Sequence, residues 1–126
     1  MGIGDAVVDN ASSGGITCGI EPDGRLKPVA YAANGTRYDR HPTTGIEFDT
    51  VTVPNYGKIF PIAEKLHRDF PHFRLLSWDF AIDKNDQPML VGVNLRYGEL
   101  DFHQLNNGPL FGDDTEKILD EVFGKR

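Results

Sequence analysis

Two apolar segments separated by a short polar stretch dominate the hydrophobic pattern of the chain. Residues 75–82 and 89–94 are rich in β-branched, aromatic and aliphatic side chains, whereas residues 84–88 are polar and end in proline. Polar residues with proline between two short apolar runs are typical of a β-hairpin turn. The pattern therefore predicts an antiparallel hairpin whose large apolar side chains face a core.

The alternation of side chains within this hairpin predicts its register. A loop closed between Asp83 and Pro88 places the polar residues of both strands on one face. Shifting the pairing by one residue would set Asp79 against a valine and mix the polar face with the apolar one. The predicted pairs are Asp79 opposite Gly92 and Ser77 opposite Asn94.

The residue types on this polar face have a specific chemistry. Asp79 and Asn94 offer oxygen ligands for a hard cation such as Mg²⁺, and Arg96 follows closely with a guanidinium that suits phosphate. A polar patch satisfied by backbone and water is an equally good interpretation of the same residues.

The remaining pattern predicts short strands followed by two amphipathic helices. The apolar spacing and turn signals indicate strands at residues 6–9, 15–20 and 26–31, one edge strand within 46–53, and helices over 55–69 and from Asp113 or Asp114 to Phe123. His67 is expected on the exposed side of the first helix. Antiparallel hairpins with helices grouped separately predict an α+β fold, an antiparallel sheet flanked by helices. The ligand face should be the side of the sheet that the helices leave uncovered.

Composition limits the classes of partner. The 126 residues suit one domain, residues 1–126, and 39% hydrophobic residues can build a core of ordinary size. A net charge of −6 and a pI near 5.0 argue against nucleic-acid or anionic-membrane binding. The single cysteine cannot form an internal disulfide, and the sequence is typical of a soluble cytoplasmic protein.

Two further polar segments are candidate substrate contacts. Near the N-terminus, Asn10, Ser12 and Ser13 lie beside two glycines, where backbone amides could approach an anion, although an ordinary turn has the same composition. Residues 95–104, which include Gln104, crowd charged and amide groups next to the polar face. A solvated connection with turns explains that segment as well.

Several of these motifs together resemble the C-terminal part of the sugar-transfer-associated ATP-grasp family, sometimes labelled hexapeptide transferase-like. The resemblance covers nearly the whole chain. It implies one lobe of an α+β clamp for MgATP, in enzymes that typically activate a carboxylate as an acylphosphate for attack by an amine or a similar nucleophile. The motifs are residues 9–15, His41-Pro42-x-x-Gly45, residues 78–82, Val93-Asn94 and Gln104.

The resemblance also assigns roles to individual residues. Asp79 corresponds to a metal-binding carboxylate, Asn94 to a metal-binding amide, and Arg96 to a catalytic arginine that neutralises phosphate, so that all three would contact MgATP. The sequence departs from the family at Gly92, where the pattern Glu-x-Asn would place a glutamate that bridges two magnesium ions. Binding of Mg²⁺ and ATP is therefore expected to be weakened.

The family's upstream lobe would precede Asp9, and only eight residues do so in this sequence. The resemblance thus implies either part of a longer enzyme or a shortened descendant that is inactive alone, with residual binding of Mg²⁺ and nucleotide phosphates. The alternative is a noncatalytic binding or self-assembly module. A missing lobe would also leave apolar surface uncovered, which favours a homo-oligomer.

Overall fold

The fold is α+β, as predicted, with two antiparallel sheets and three helices. A computed structural model describes residues 1–4, 13–95 and 99–124. The predicted strand at residues 6–9 lies outside the described residues. The elements are strands β1 (Ile16–Ile20), β2 (Leu26–Ala32), β3 (Arg37–Tyr38), β4 (Ser77–Ile82) and β5 (Pro88–Asn94), and helices α1 (Ile59–His67), α2 (Asp101–Asn107) and α3 (Thr115–Phe123).

The first sheet has the order β1-β2-β3, with antiparallel pairing throughout. Its first two strands follow the predicted positions closely. The turn between them requires glycine, because Gly24 has φ +91° and a Cβ there would lie 3.0 Å from the carbonyl oxygen of Val53. The close approach of Val53 shows that the chain after β3 returns to this turn.

The core of the described part of the chain lies on this sheet. Ile16, Leu26 and Ala30 are buried there, and Phe48 packs on them with 2% of its surface exposed. Residues 46–53 form no regular edge strand. They contain a 3-10 turn at Phe48–Thr50, flanked by isolated bridges, because the Phe48 side chain is drawn into the core. With four buried hydrophobic residues among those described, this core is smaller than the composition suggests.

In the described residues the second sheet consists of β4 and β5, and Trp78 on one of its faces contacts the end of α1 and the segment after it. The Trp78 ring lies edge-on to Phe70 and His67, with centroid distances of 6.1 and 6.5 Å. His67 is therefore half-buried, not on the exposed side of its helix as predicted, and its Nε2 lies 2.7 Å from the Phe73 carbonyl oxygen. The predicted apolar face of the hairpin thus packs on a helix.

Helix α3 begins where the sequence predicts and ends before Gly124, which has φ +80°. The expected side-chain cap from Asp114 is absent. Instead, the Thr115 hydroxyl donates to the carbonyl oxygen of Gly112, at the 3-10 turn that precedes the helix. The hydroxyl thus ties the first turn of the helix to that preceding turn.

The alternative interpretation of residues 95–104 as a solvated connection with turns is wrong for residues 101–104, where α2 begins. This helix packs on the first sheet through Asn106, whose Nδ2 donates to the Thr17 hydroxyl at 2.8 Å. The Lys27 ammonium donates to the Asn106 carbonyl oxygen at 3.2 Å. The apolar side chains of α2 are too sparse to give a clear helical period, so tertiary contacts determine the helix.

Candidate functional site

The turn between β4 and β5 is one residue shorter than predicted. Its closing pair is Asp83 and Gln87, not Asp83 and Pro88, because the Asp83 carboxylate accepts hydrogen bonds from the Asn85 and Gln87 amides at 2.7 and 2.9 Å. Asp86 completes the three-residue loop with φ +60°, the left-handed conformation that such loops require. This turn alone would shift every pair along the hairpin by one residue.

A β-bulge restores the predicted pairing farther along the strands. Phe80 pairs with Leu90, and the next pair is Asp79 with Gly92, so Val91 is the extra residue on β5. Ser77 then lies opposite Asn94, as the alternation predicts. The register at the polar face is therefore confirmed, although the loop length from which it was inferred is wrong by one residue.

Asp79 and Asn94 meet on the exposed face of this sheet. The Asn94 amide nitrogen donates to Asp79 Oδ2 at 3.2 Å, and both residues are exposed. Trp78 belongs to the opposite face, where its ring contacts His67 of α1 and Phe70 after it. The structure thus confirms that the two predicted ligand side chains share one solvent-accessible face.

One oxygen atom of each side chain takes no part in the hydrogen bond between Asp79 and Asn94. Asp79 Oδ2 accepts from the Asn94 amide group, while Asp79 Oδ1 and Asn94 Oδ1 take no part in this hydrogen bond. Gly92 has no side chain to add, and a Cβ there would stand 3.7 Å from Asp79 Oδ2, at ordinary contact distance. A larger residue at position 92 would therefore fit beside the carboxylate without a clash.

This face provides few ligands for a metal ion. No group of three or more histidine, cysteine or acidic side chains able to hold a metal occurs within the described ranges. A cation at Asp79 and Asn94 would therefore draw most of its coordination shell from water or from the phosphates of a ligand.

Of the other predicted site residues, the structure describes Ser13 and Gln104. Arg96, Asn10 and Ser12 lie outside the described residues. Ser13 is exposed shortly before β1, and Gln104 is exposed on α2, where it lines a shallow cavity with Asn34 and other residues. Within the described ranges neither Ser13 nor Gln104 forms a hydrogen bond with Asp79 or Asn94, so their proposed substrate contacts remain predictions.

Sequence reasoning did not find a cavity that lies between β1 and α2. Its volume is about 710 Å³, and its lining includes Cys18, Tyr56 and Phe102. The Cys18 thiol donates to the carbonyl oxygens of Lys27 and Val29, and burial raises its pKa above the ordinary value. The thiol is therefore a structural donor. No motif in the sequence marks this cavity, because its residues come from segments distant along the chain.

Comparison with protein families establishes the origin of the chain. The family model for sugar-transfer associated ATP-grasp proteins matches residues 1–119. The chain belongs to the sugar-transfer associated ATP-grasp family. Neither a curated protein nor a solved structure shows significant similarity to it.

Membership of this ATP-grasp family confirms the resemblance inferred from the motifs and accounts for the mixed, antiparallel fold. Enzymes with the ATP-grasp fold generally use ATP and Mg²⁺, which are the ligands that the Asp79–Asn94 face was predicted to bind. Within the described residues, no helix combines the length and the apolar character needed to cross a membrane.

Proposed function

We propose that this ATP-grasp chain binds a single Mg²⁺ ion together with nucleotide phosphates at the Asp79–Asn94 face, weakly and without turning ATP over by itself. The observation that carries the proposal is the 3.2 Å contact between the Asn94 amide and Asp79 Oδ2 on an uncovered sheet face. Family membership adds ATP and Mg²⁺ as the expected ligands.

The donor set fits Mg²⁺ in kind but is small in number. Mg²⁺ prefers six oxygen ligands in octahedral geometry and commonly binds through one or two carboxylates plus substrate phosphates and water. Asp79 supplies one carboxylate, and Asn94 supplies a carbonyl oxygen once its amide turns away from Asp79. Affinity for the free cation should therefore be low, and a triphosphate should raise it by completing the coordination shell.

The residue at position 92 determines whether this face can hold one Mg²⁺ ion or the two that ligase chemistry uses. One carboxylate can hold one cation, whereas a bridging glutamate at this position would hold two. With less charge neutralisation the transferred phosphoryl group is poorly stabilised, so we infer that the chain alone is noncatalytic. Arg96, two residues after Asn94, is assigned to phosphate neutralisation in this proposal.

Calorimetric titration with MgATP tests the proposal directly. Binding on the order of millimolar Kd, about −4 kcal/mol, is expected for the wild type. It should be lost in Asp79→Asn and weakened in Asn94→Ala. Asp69→Asn makes the same charge change at an exposed position after α1 and should bind like the wild type. If Asp79→Asn and the wild type take up MgATP equally, the face is a polar patch.

Gly92→Glu provides the complementary gain of function, with Gly92→Gln as its size-matched, uncharged control. The glutamate should raise affinity for Mn²⁺, measured by electron paramagnetic resonance without nucleotide, because it adds a second carboxylate on a side chain whose Cβ lies 3.7 Å from Asp79 Oδ2. The glutamine variant should not. Equal Mn²⁺ binding by both variants would show that the added side chain does not reach a cation held by Asp79.

A further inference from the structure

The turn between β4 and β5 is tied to the segment that precedes α1. The Asn55 amide nitrogen donates to the Asp86 carbonyl oxygen at 2.6 Å, and the Lys58 ammonium donates to Gln87 Oε1 at 3.1 Å. Among the described residues, Asn55 and Asp86 are also the non-glycine residues with positive φ, at +54° and +60°. Such conformations persist only where the surrounding contacts hold them, and here one hydrogen bond joins the two.

A second register is available to the half of the hairpin that adjoins the turn. In the three-residue register, which the structure shows, Asp83 pairs with Gln87, and Val91 is the extra residue on β5. If the loop takes up one more residue, Asp83 pairs with Pro88 and the ladder runs on without a bulge. This is the four-residue register. The pairs beyond the bulge are the same in both.

Burial of apolar surface is nearly equal in the two registers. In the structure Leu90 lies opposite Phe80, whereas Met89 and Val91 are 53% and 66% exposed. A shift of one residue turns each side chain to the opposite face. The four-residue register therefore brings Met89 and Val91 to the Phe80 face and removes Pro88 and Leu90 from it. Two apolar side chains replace two others, so hydrophobic burial does not choose the register.

Hydrogen bonding favours the three-residue register, and Pro88 is one reason. The Asp83 amide donates to the Gln87 carbonyl oxygen at 2.9 Å, so Asp83 directs its backbone polar groups at β5. Its partner in the four-residue register is Pro88, which has no N–H to donate. In the observed register Pro88 pairs with Ile82, at a position where the alternation of the ladder requires no donor.

We propose that this half of the hairpin is a two-register device in which Asn55 is the latch that holds the three-residue register. The four-residue register moves Asp86 and Gln87 to new places in the loop, so both hydrogen bonds to the turn must break. Asn55 directly precedes the 3-10 turn that leads into α1, so a movement there releases the latch. Release exchanges the apolar side chains beside the Asp79–Asn94 face without changing the pairs on that face.

Contacts between protons on the two strands distinguish the registers. The Hα atoms of a non-hydrogen-bonded antiparallel pair lie close together. A nuclear Overhauser peak between the Hα atoms of Phe80 and Leu90 marks the three-residue register, and one between Phe80 and Val91 marks the four-residue register. A Trp78–Val93 peak is expected in both, because that pair lies beyond the bulge. It reports that the hairpin is folded.

The wild type should show the Phe80–Leu90 peak. Asn55→Gly removes the latch without backbone strain, because glycine adopts positive φ readily. It should shift the ratio of the two registers about fivefold towards the four-residue register, which is the effect of one ordinary hydrogen bond. Adding Pro88→Val restores a donor and should make the Phe80–Val91 peak the stronger one. Asn34→Gly makes the same exchange in the turn between β2 and β3 and should match the wild type.

Each result decides the role of Asn55. A folded double variant that shows the Phe80–Leu90 peak alone would overturn the proposal, because the register would not depend on the latch. Loss of the Trp78–Val93 peak in either Asn55 variant would also overturn it, since Asn55 would then support the whole hairpin and not select its register. Pro88→Val alone keeps the latch and should retain the wild-type pattern. A dominant Phe80–Val91 peak in that variant would assign the choice of register to Pro88 and refute the latch.

Discussion

Replacing Phe48 by alanine should remove a large part of the stability of the fold. Phe48 is one of four buried core residues among those described, and its ring is 98% buried against Ile16, Leu26 and Ala30, since 2% of it remains exposed. Burying about 150–200 Å² of aromatic surface at 25 cal/mol/Å² stabilises the fold by about 4–5 kcal/mol. This agrees with the 3–5 kcal/mol typical of buried phenylalanine-to-alanine substitutions.

The loss caused by Phe48→Ala is large compared with the total free energy of unfolding of the chain. At 0.05–0.15 kcal/mol per residue, a chain of 126 residues has a free energy of unfolding of about 6–19 kcal/mol, and a small core places this chain towards the lower end. Phe48→Ala should therefore lower the unfolding free energy by about half. The loop from β3 to α1 should loosen with it, because Phe48 is its buried anchor.

Urea unfolding measures the effect, followed by far-ultraviolet circular dichroism and by fluorescence of Trp78, the single tryptophan. Circular dichroism reports both sheets, whereas Trp78 reports the hairpin and α1. Ile46→Ala is the control, because Ile46 lies in the same loop but is 50% exposed, and it should change the unfolding free energy by less than about 0.5 kcal/mol. Equal urea midpoints for the two variants would refute the packing assigned to Phe48.

Three further predictions concern local structure. Gly19→Ala should lower the unfolding free energy by about 1–3 kcal/mol in urea titrations, because its Cβ would stand 3.2 Å from the Asn106 backbone oxygen and force α2 outward. Gly57→Ala is the control, because a Cβ at position 57 meets no atom within 4 Å, and it should lower the unfolding free energy much less. Asp83→Ala should cost about 1–2 kcal/mol by the same measurement, since two turn amides lose their acceptor. The raised pKa of Cys18 predicts stability that is complete below the unfolded-state value near 9.0 and is lost as pH rises through the folded-state value. Thermal unfolding of the wild type between pH 8 and 11 should therefore fall more steeply than that of Cys18→Ala, and parallel curves would contradict the assigned burial.

The sequence predicted those elements that have strong local signals. Strands β1 and β2 of the first sheet, α3 with its terminal glycine, and both strands of the hairpin appear within two residues of their expected positions. Each has either alternating apolar residues or a clear helical period next to turn-forming residues. Local pattern suffices where local preference and tertiary packing agree.

The predictions that the structure contradicts have one physical cause. Tertiary contacts determined the structure where the local sequence pattern was weak. Phe48 entered the core from a segment whose polar composition predicts a surface loop. Asn106 secured α2 through a hydrogen bond to Thr17, a residue 89 positions earlier in the chain. His67, the last residue of α1, contacts the Trp78 ring and forms a hydrogen bond with the Phe73 carbonyl oxygen. None of these contacts leaves a periodic signal in the sequence.

The hairpin shows how a correct strand register can follow from an incorrect turn. The Asp83 carboxylate imposes a three-residue loop, and the polar face requires one more residue than that loop supplies. Alternation of side chains reveals the register that the polar face requires. It does not reveal the length of the loop, because a bulge can compensate for a difference of one residue between loop and register. Val91 is that bulge, and it lies exposed as a result.

The chemistry of the Asp79–Asn94 face therefore depends on the residue at position 92 more than on backbone geometry. The bulge already brings Asp79, Asn94 and Gly92 together, so a carboxylate added there needs no rearrangement of the strands. Without a cation, two adjacent carboxylates repel by about 0.2–1 kcal/mol across a strand pair. A bound divalent ion reverses the sign of that interaction. Gly92→Glu should thus be less stable than Gly92→Gln in chelator and more stable in excess Mg²⁺, a crossover in melting temperature that a purely structural hairpin would not produce.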